Sequence, residues 1–417
     1  MSKRIVIIGG GVVGLCIAYY CSRKGHRVTL LERGGPERDG CSFANAGMVV
    51  PSHVIPLASP GMVRLGLRWM WNDESPFYIK PRLNSSLLDW GWKFYRAATQ
   101  ARVDRAAPLL RDLHLASRAC YEEWAALWGN DLDLAKHGLL MLCNTEHGLE
   151  EETRIAEYSR GLGLPVEVLT PAATAKLEPN IRMSIVGSVY FPKDCHLTPS
   201  RLMAVLGREV ERAGVEMHYG TLVNGWRSAG NRIDAVQTNG TLHTADEFIV
   251  CAGIWSTDIV RSLGLKLPLQ AGKGYSLTVE TAAPRPRICA SLSEARVAMT
   301  PMGSALRFGG TMELAGTDER INPARLRGIV KSVAHYFPDF TPDRFEKANV
   351  LSGLRPCSPD GLPYIGRFSR FANLSAATGH AMMGVSPGPI TGKLMAEMLS
   401  GEPLSCSIEG LSPDRYA

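Results

Sequence analysis

Residues 5–8 form a short run of four apolar side chains, and Gly9-Gly10-Gly11-Val12-Val13-Gly14 follows without a break. This pairing restricts the fold more than any other stretch of the chain. An apolar run of that kind suits a strand buried on both faces. Residues 12–24 carry a helical pattern that Gly25 ends, and residues 26–32 read as a second strand. The unit is strand, glycine turn, helix and strand within about 30 residues. Gly9 permits the tight turn, Gly11 lets the backbone approach a pyrophosphate, and Gly14 lets helix and strand pack closely. The helix start, with Val12 and Val13 in its first turn, offers free N–H groups to the anion. Glu32 stands 18 residues beyond Gly14, where it can accept hydrogen bonds from ribose hydroxyls. A carboxylate there repels a 2′-phosphate. The motif predicts a dinucleotide site, and by itself it does not separate NAD from FAD.

Composition narrows the class. The chain has 417 residues, enough for two or three domains with full cores. Its apolar and charged shares, 45% and 21%, exclude a disordered chain or a coiled coil. Basic residues number 46 and acidic ones 40, a formal charge of +6, and no Lys/Arg block is present. No nucleic-acid partner is expected. The ten cysteines include no CxxC pair and no Cys/His set with zinc spacing. No metal site is expected, and the thiols read as those of a reducing compartment. Residues 1–4 lead straight into the first strand, without an apolar leader, and no run of 18 uncharged apolar residues follows. Neither a signal peptide nor a spanning helix is expected, which points to the cytoplasm.

Further along, residues 83–128 read as mostly helical, with Pro108 opening a helix whose Leu109, Leu113, Ala116 and Cys120 share one stripe. Short strands are predicted at 138–143 and 185–191. Thr198-Pro199 caps a helix that runs to Gly214, a strand follows at 216–219, and a meander turns at Gly230-Asn231 and Asn239-Gly240. Residues 248–251 form another buried run, closed by Ala252-Gly253. Residues 272–311 alternate in short strand-like pieces. Asn322-Pro323 starts a helix that stops before Pro338, and Gly388-Pro389 starts the last one, which Gly401 closes.

Four segments add to the glycine turn: residues 42–60 (SFANAGMVVPSHVIPLASP), 272–275 (GKGY), 353–366 (GLRPCSPDGLPYIG) and 377–384 (ATGHAMMG). The layout resembles the flavin oxidoreductases of the D-amino-acid oxidase and dehydrogenase superfamily over nearly the whole chain. Within that superfamily it is most similar to the bacterial D-amino acid dehydrogenases of the small-subunit type. The resemblance implies an α/β (α+β) fold, in which a Rossmann-like FAD-binding domain is joined to a discontinuous antiparallel-sheet substrate domain. The FAD-binding domain is expected over 1–75, 192–268 and 350–417, and the substrate domain over 76–191 and 269–349. Sarcosine-oxidase-like members hold FAD through a cysteine near the C-terminal region. Cys357 does not fit that spacing, so non-covalent FAD is expected.

Carried over position by position, the resemblance implies a set of cofactor contacts. Gly9, Gly11, Val12, Val13 and Gly14 surround the pyrophosphate, Glu32 and Arg33 meet the adenosine end, and Val223 meets the adenine side. Ala252 and Gly253 close their strand against the cofactor. Ser42, Asn45, Ala46, Gly47 and Met48 follow the ribityl chain and ring. Gly353, Gly379, His380, Met383 and Gly384 line the flavin ring. In glycine oxidase and D-amino-acid oxidase, segments similar to Gly-Leu-Arg-Pro carry the arginine that clamps the substrate carboxylate. Arg355 is the corresponding residue here, and its planar fork matches a carboxylate. Tyr275 is expected to donate to the same carboxylate or to close the pocket. His53, His380 and, more weakly, Lys273 complete the candidate pocket.

The implied activity is oxidation of a D-amino acid, or of a secondary amine such as D-proline or hydroxy-D-proline, to the imino or 2-oxo acid by hydride transfer to flavin N5. Electrons then pass to a quinone or another acceptor. A site that binds the neutral amine, or releases its proton to water, needs no strong base. Residues 54–71 (VIPLASPGMVRLGLRWMW) combine Arg64 and Arg68 with terminal tryptophans, which suits the inner-membrane surface as well as a buried lid. Two alternatives stay open: a glycine/sarcosine-type amine oxidase that uses oxygen, and a non-catalytic flavoprotein subunit or assembly factor. The oligomeric state is not legible.

Overall fold

The computed structural model describes residues 1–37, 40–69, 74–80, 84–280 and 285–417. The last two residues of the apolar 54–71 segment and the start of the helical 83–128 stretch lie outside the described residues.

The N-terminal strand Arg4–Ile8 is central in a six-stranded sheet. Its neighbours on one side are Glu247–Val250, Leu374–Thr378 and Tyr364–Arg367, and on the other Arg27–Leu31 and Glu216–His218. All pairs are parallel except the outer Tyr364–Arg367, which runs antiparallel to Leu374–Thr378. The apolar run is explained by what covers each face. Ile5 and Ile7 point to helices Val12–Arg23, Pro199–Arg212 and Gly388–Ser400 and share a core with Leu15, Leu206 and Leu394. Val6 and Ile8 point the other way, into a core with Val236 of the small three-stranded meander and Phe248. With both faces buried, period-two alternation of polarity disappears.

The second sheet has nine strands. Asn349–Cys357, Gln270–Glu280, Ala305–Leu314, Val297–Met302, Cys289–Leu292, Leu139–Cys143, Gly187–Phe191 and Glu167–Leu169 follow one another, and Phe77–Ile79 pairs with Ala305–Leu314. Pairing is antiparallel except between Cys289–Leu292 and Leu139–Cys143 and at Phe77–Ile79. One face carries Tyr275, Leu277 and Phe308 into a core with Ile329 and Val333 of helix Pro323–Tyr336. The other face meets the six-stranded unit.

One expectation is corrected, and the packing bears on two of the expected domain boundaries. Pro108 does not open a helix; it lies inside helix Gln100–Leu127, which starts after Thr99. The ring removes one helical hydrogen bond, but Val103, Ala106, Ala107, Leu110 and Leu113 around it are buried, and that packing carries the helix through. The same helix belongs by packing with the six-stranded unit rather than with the substrate segment 76–191, because Leu113, Tyr121 and Trp124 share the core of Tyr19 and Leu394. Strand Asn349–Cys357 lies in the nine-stranded sheet, so a boundary at 350 falls within one of its strands.

Candidate functional site

The glycine turn is fixed by close backbone approach. Gly9 has φ +110°, and a Cβ there would stand 2.6 Å from the Cys251 carbonyl oxygen; one at Gly14 would stand 1.9 Å from the Gly9 oxygen. Gly11 is the N-cap of helix Val12–Arg23, with no capping side chain and no acidic residue in the first turn. Such a helix start favours an anion. Ser42 accepts the Val12 N–H at 3.0 Å, which brings the 42–48 stretch against the turn. Glu32 accepts from Gly10 N–H and Gly34 N–H, each at 2.7 Å, and its remaining lone pairs can take ribose hydroxyls.

On the far side of the sheet Arg33 lies over the Trp255 ring, 3.4 Å from its centroid. Val223, Ala252 and Trp255 pack against one apolar cluster beneath the meander. Gly253, at φ +56°, presents its carbonyl to the Thr378 hydroxyl at 3.0 Å. Trp255 escapes a reading by motif, because nothing in its local sequence marks it as the partner of a residue more than 200 positions away.

The 42–48 stretch runs between the two sheets. Asn45 Oδ1 accepts from Gly47 N–H at 2.8 Å, and its Nδ2 donates to the Met382 carbonyl at 3.1 Å. Gly47 has φ +75°, and a Cβ there would stand 2.2 Å from the Leu197 oxygen. Arg307 reaches across from the large sheet. Its Nη1 donates to the carbonyls of Phe43 (2.7 Å) and Asn45 (2.9 Å), and its Nε to the Thr278 hydroxyl (3.0 Å). Ala46 approaches Gly309, and Met48 pairs with His196. Met48 and Met383 pack against the same apolar cluster as Val50 and Met141.

The clamp candidate sits on the facing strand pair. Gly272 is opposite Arg355 and Gly274 is opposite Gly353, so these four share one face. A Cβ at Gly353 would stand 3.0 Å from the Cys41 Cα, which shows that this face meets the flavin-following stretch. A Cβ at Gly274 would lie 2.0–2.4 Å from three guanidinium atoms of Arg355: the fork rests on the bare glycine backbone. Its Nη1 donates to the Thr311 carbonyl at 2.5 Å. Thr311 has φ +69°, a left-handed conformation that a β-branched residue rarely takes. It stands opposite the register shift between Lys273 and Tyr275. Burial pulls the Arg355 pKa down, and among the described residues no carboxylate pairs with this guanidinium.

Tyr275 and Lys273 do not join Arg355. They alternate to the opposite face of the strand, where Tyr275 Oη donates to Glu313 at 2.8 Å and Lys273 Nζ donates to the Arg320 carbonyl at 2.9 Å. Lys273 and Glu313 form a buried ion pair at 3.7 Å. Tyr275 is only 1% exposed, and burial with Glu313 raises its pKa. It packs in the core of the sheet, with its hydroxyl taken by Glu313.

His380 follows strand Leu374–Thr378 and bridges to Cys357, two residues from the clamp. Its Nε2 and the Thr391 hydroxyl are 3.0 Å apart, and burial lowers its pKa to about 4, so it stays neutral. Gly379 has φ +80°, and Gly384 lies beside the His380 Cβ. His53 stands next to Ser52, whose hydroxyl is 3.1 Å from Nδ1 and which also bonds Asp194. The sequence reading passed over Ser52, Asp194, His114, Gly274, Thr311 and Arg307. Only Gly274, a glycine inside a strand, carries a sequence signal for close approach.

These residues fit FAD. The glycine turn admits a pyrophosphate and no side chain, the helix start carries no acidic residue in its first turn, and glycines at 309 and 353 open the large sheet where residues 41–46 approach. Residues 4–398 match the family described as DAO, FAD dependent oxidoreductase, and the chain belongs to this family. It is an oxidoreductase and its cofactor is FAD. Across 99% of both chains it is 34% identical to a D-amino acid dehydrogenase of Methylobacterium radiotolerans and 30% identical to one of Paramagnetospirillum magneticum. Among solved structures it resembles glycine oxidase from Geobacillus kaustophilus, with a TM-score of 0.79 and 25% identity over the full length of both chains. It also shares the fold of L-proline dehydrogenase from P. horikoshii, with a TM-score of 0.76, 18% identity and coverage of 100% of this chain and 98% of the other.

Proposed function

We propose that the chain is a dehydrogenase that oxidises a D-amino acid, or a cyclic secondary amine such as D-proline or hydroxy-D-proline, with non-covalent FAD. The six-stranded unit holds the cofactor and the nine-stranded sheet holds the substrate. The observation that carries this reading is the Arg355 guanidinium, laid on Gly274 and without a carboxylate partner among the described residues. The guanidinium is half-buried, one of its nitrogens is taken by the Thr311 carbonyl, and no carboxylate among the described residues takes up the others. A substrate carboxylate would do so with two parallel hydrogen bonds.

Bound FAD would supply the acceptor for the hydride that leaves the substrate α-carbon, which carries both electrons of the oxidation. The chain's own work is orientation. Arg355 grips one end of a small zwitterion, so that the α-carbon faces the 42–48 stretch rather than solvent. His380 and His114, both buried and neutral, add no competing positive charge to this part of the molecule. Neutral histidines suit an incoming ammonium better than charged ones.

One surface supports a reading of the electron acceptor. Helix Ser85–Ala97 exposes Leu88, Trp92 and Tyr95, spaced by four and three, on one stripe. Beside it, helix Met62–Trp69 brings Arg64 to a cleft of about 350 Å³ that Val63 and Tyr95 also line. Apolar rings flanked by Arg64, Arg68 and Arg96 fit an acidic lipid surface. We read this face as the contact with the cytoplasmic membrane, where a quinone takes the electrons. No helix among the described residues is long and apolar enough to cross a membrane.

One anaerobic experiment tests the reading. Each amino acid enantiomer, with sarcosine and the hydroxyproline isomers, is mixed with the yellow protein and flavin absorbance is followed. Bleaching by D-amino acids or D-proline derivatives, with dye or quinone reduction and no peroxide in air, is the expected result. Peroxide formation would move the assignment to an oxidase. An unbleached flavin throughout would make the chain a non-catalytic subunit.

A further inference from the structure

Strand Ala305–Leu314 carries one residue more than the strand it pairs with. Lys273 stands opposite Glu313 and Tyr275 opposite Gly310, so Gly274 faces the pair Thr311 and Met312. This is a β-bulge, and its first residue, Thr311, has the left-handed φ of +69° that such a position usually gives to glycine. The strand also changes its outer partner here. Gly309 still pairs with Val297–Met302, whereas Met312 onward pairs with Phe77–Ile79, and Met312 N–H donates to the Pro76 carbonyl at 2.7 Å. At the bulge the Thr311 carbonyl accepts from Arg355 Nη1 at 2.5 Å, and the Met312 side chain lies against Gly272, where a Cβ would stand 3.4 Å from its Cγ. One irregular position thus serves the face that carries the guanidinium.

On the opposite face the same bulge is pinned. Glu313 accepts from the Tyr275 hydroxyl at 2.8 Å and stands 3.7 Å from the Lys273 ammonium. These side chains bracket Gly274: Lys273 precedes it, Tyr275 follows it, and Glu313 reaches both from the bulged strand. Glu313 is 5% exposed and Lys273 2%. Lys273 also donates to the Arg320 carbonyl at 2.9 Å, and the Ser352 hydroxyl donates to the Glu319 carbonyl at 3.0 Å. The loop that leaves the bulged strand is therefore tied to both of the strands that hold Gly274 and Arg355.

A buried ion pair adds little net stability over apolar side chains of the same size, and its best-attested use is to fix a register. Here the register decides where the fork finds its partner. If the extra residue left the bulge, the pairing beyond it would slip by one position and side chains would change faces. Thr311 would lose its left-handed turn, and its carbonyl would no longer meet Nη1. An apolar patch accepts either pairing. A carboxylate that must meet a hydroxyl on one side of Gly274 and an ammonium on the other accepts one.

We propose that Glu313, with Tyr275 and Lys273 as its partners, is the positioning residue for Arg355: from the back of the sheet it locks the bulge that holds the guanidinium ready for an incoming carboxylate. This rests on Arg355 being the clamp of a substrate carboxylate. Tyr275 and Lys273 then act on substrate affinity without touching substrate. Tyr275 packs with Ile329 and Val333 of helix Pro323–Tyr336, on the side of the sheet away from Arg355.

The test is a double-mutant cycle on the flavin-loaded protein, read by anaerobic bleaching against concentration, with D-alanine and D-proline as the first probes. Tyr275→Phe removes the hydroxyl. Glu313→Asp keeps the charge beside Lys273 but draws the carboxylate back from the hydroxyl. Each is expected to raise the half-saturating concentration about tenfold, the effect of losing one hydrogen bond to a charged group, with limiting rate and FAD absorbance little changed. In an Arg355→Ala background the same substitutions should add nothing, because the side chain they act through is already gone. A rise of equal size in both backgrounds marks a general structural role and overturns the proposal. So does an unchanged half-saturating concentration in both variants. If Arg355→Ala alone leaves affinity unaltered, the clamp falls first and the positioning role with it. A wild type that neither probe nor any other amino acid bleaches overturns the substrate reading, and with it this one.

Discussion

A single missing Cβ shapes the seat of Arg355, the proposed carboxylate clamp. Gly274 leaves the space in which the Arg355 guanidinium lies, and Thr311 takes a left-handed backbone where its carbonyl meets Nη1. Strain of about 1–3 kcal/mol at such a position persists only where the surroundings over-determine it. Gly274→Ala is expected to displace the fork and raise the substrate dissociation constant at least tenfold, with FAD content unchanged; titration of flavin absorbance with substrate measures both. Arg355→Ala should keep the yellow colour and weaken substrate binding more strongly. Arg355→Lys should rescue only part of that, because an ammonium replaces a fork with a point charge. Unaltered affinity in either Arg355 variant would remove the carboxylate argument. The candidate arginine was legible in Gly-Leu-Arg-Pro, but the placement of Tyr275 on the opposite face of its strand was not. Alternation along 272–275 separates the glycines from Lys273 and Tyr275, and only the pairing of Gly272 with Arg355 says which of them share a face with that arginine.

At the scale of elements, two helices meet without side chains between them. A Cβ at Gly392 of helix Gly388–Ser400 would stand 2.5 Å from the Cys16 backbone carbon in helix Val12–Arg23. Alanine is better than glycine in a helix by about 1 kcal/mol, yet overpacking costs about 1–3 kcal/mol and here the obstacle is backbone. Gly392→Ala is therefore expected to destabilise the protein by about 1–2 kcal/mol, read as a lower urea midpoint. An increase in midpoint would show that the helices can part freely. Helix Ser85–Ala97 carries a different expectation. Trp92→Glu with Leu88→Glu should cut sedimentation with anionic vesicles severalfold and leave bleaching by substrate intact; equal sedimentation would count against the membrane face. The apolar stripe at 88, 92 and 95 is present in the sequence, but periodicity alone reads it as core, and only the fold leaves it outside.

Across the whole molecule, buried titrating groups set a pH window. His114 is lowered to about 3, and His196 and His380 to about 4, each chiefly by burial. The unfolded chain binds these protons near 6.5, so the stability they represent is full above that value and lost as pH falls toward 4. At 1.36 kcal/mol per unit, each accounts for about 3 kcal/mol over that range. Asp194 has the opposite sign: raised to about 7, its contribution is full below its unfolded value and lost as pH rises through 7. Three histidines outweigh one aspartate between pH 4 and 6.5. The urea midpoint should rise across that interval, and less steeply in His380→Gln; a flat profile would mean that these imidazoles titrate normally.

The sequence by itself determined the cofactor unit, because a tight turn, a close approach and a helix start are local demands. Gly9, Gly11, Gly14 and Glu32 meet them within one short unit. It also determined the class, since the flavin-following stretch and the arginine segment are contiguous runs. The tertiary structure alone decided what required two distant strands to meet: the seat of Arg355 on Gly274, the anchoring of Phe43 and Asn45 by Arg307, and the contact of Ser52 with Asp194. Each joins side chains far apart in the chain, and their meeting depends on strand register and on which face a sheet turns inward. Those are properties of the assembled sheets, fixed by packing that no local pattern encodes.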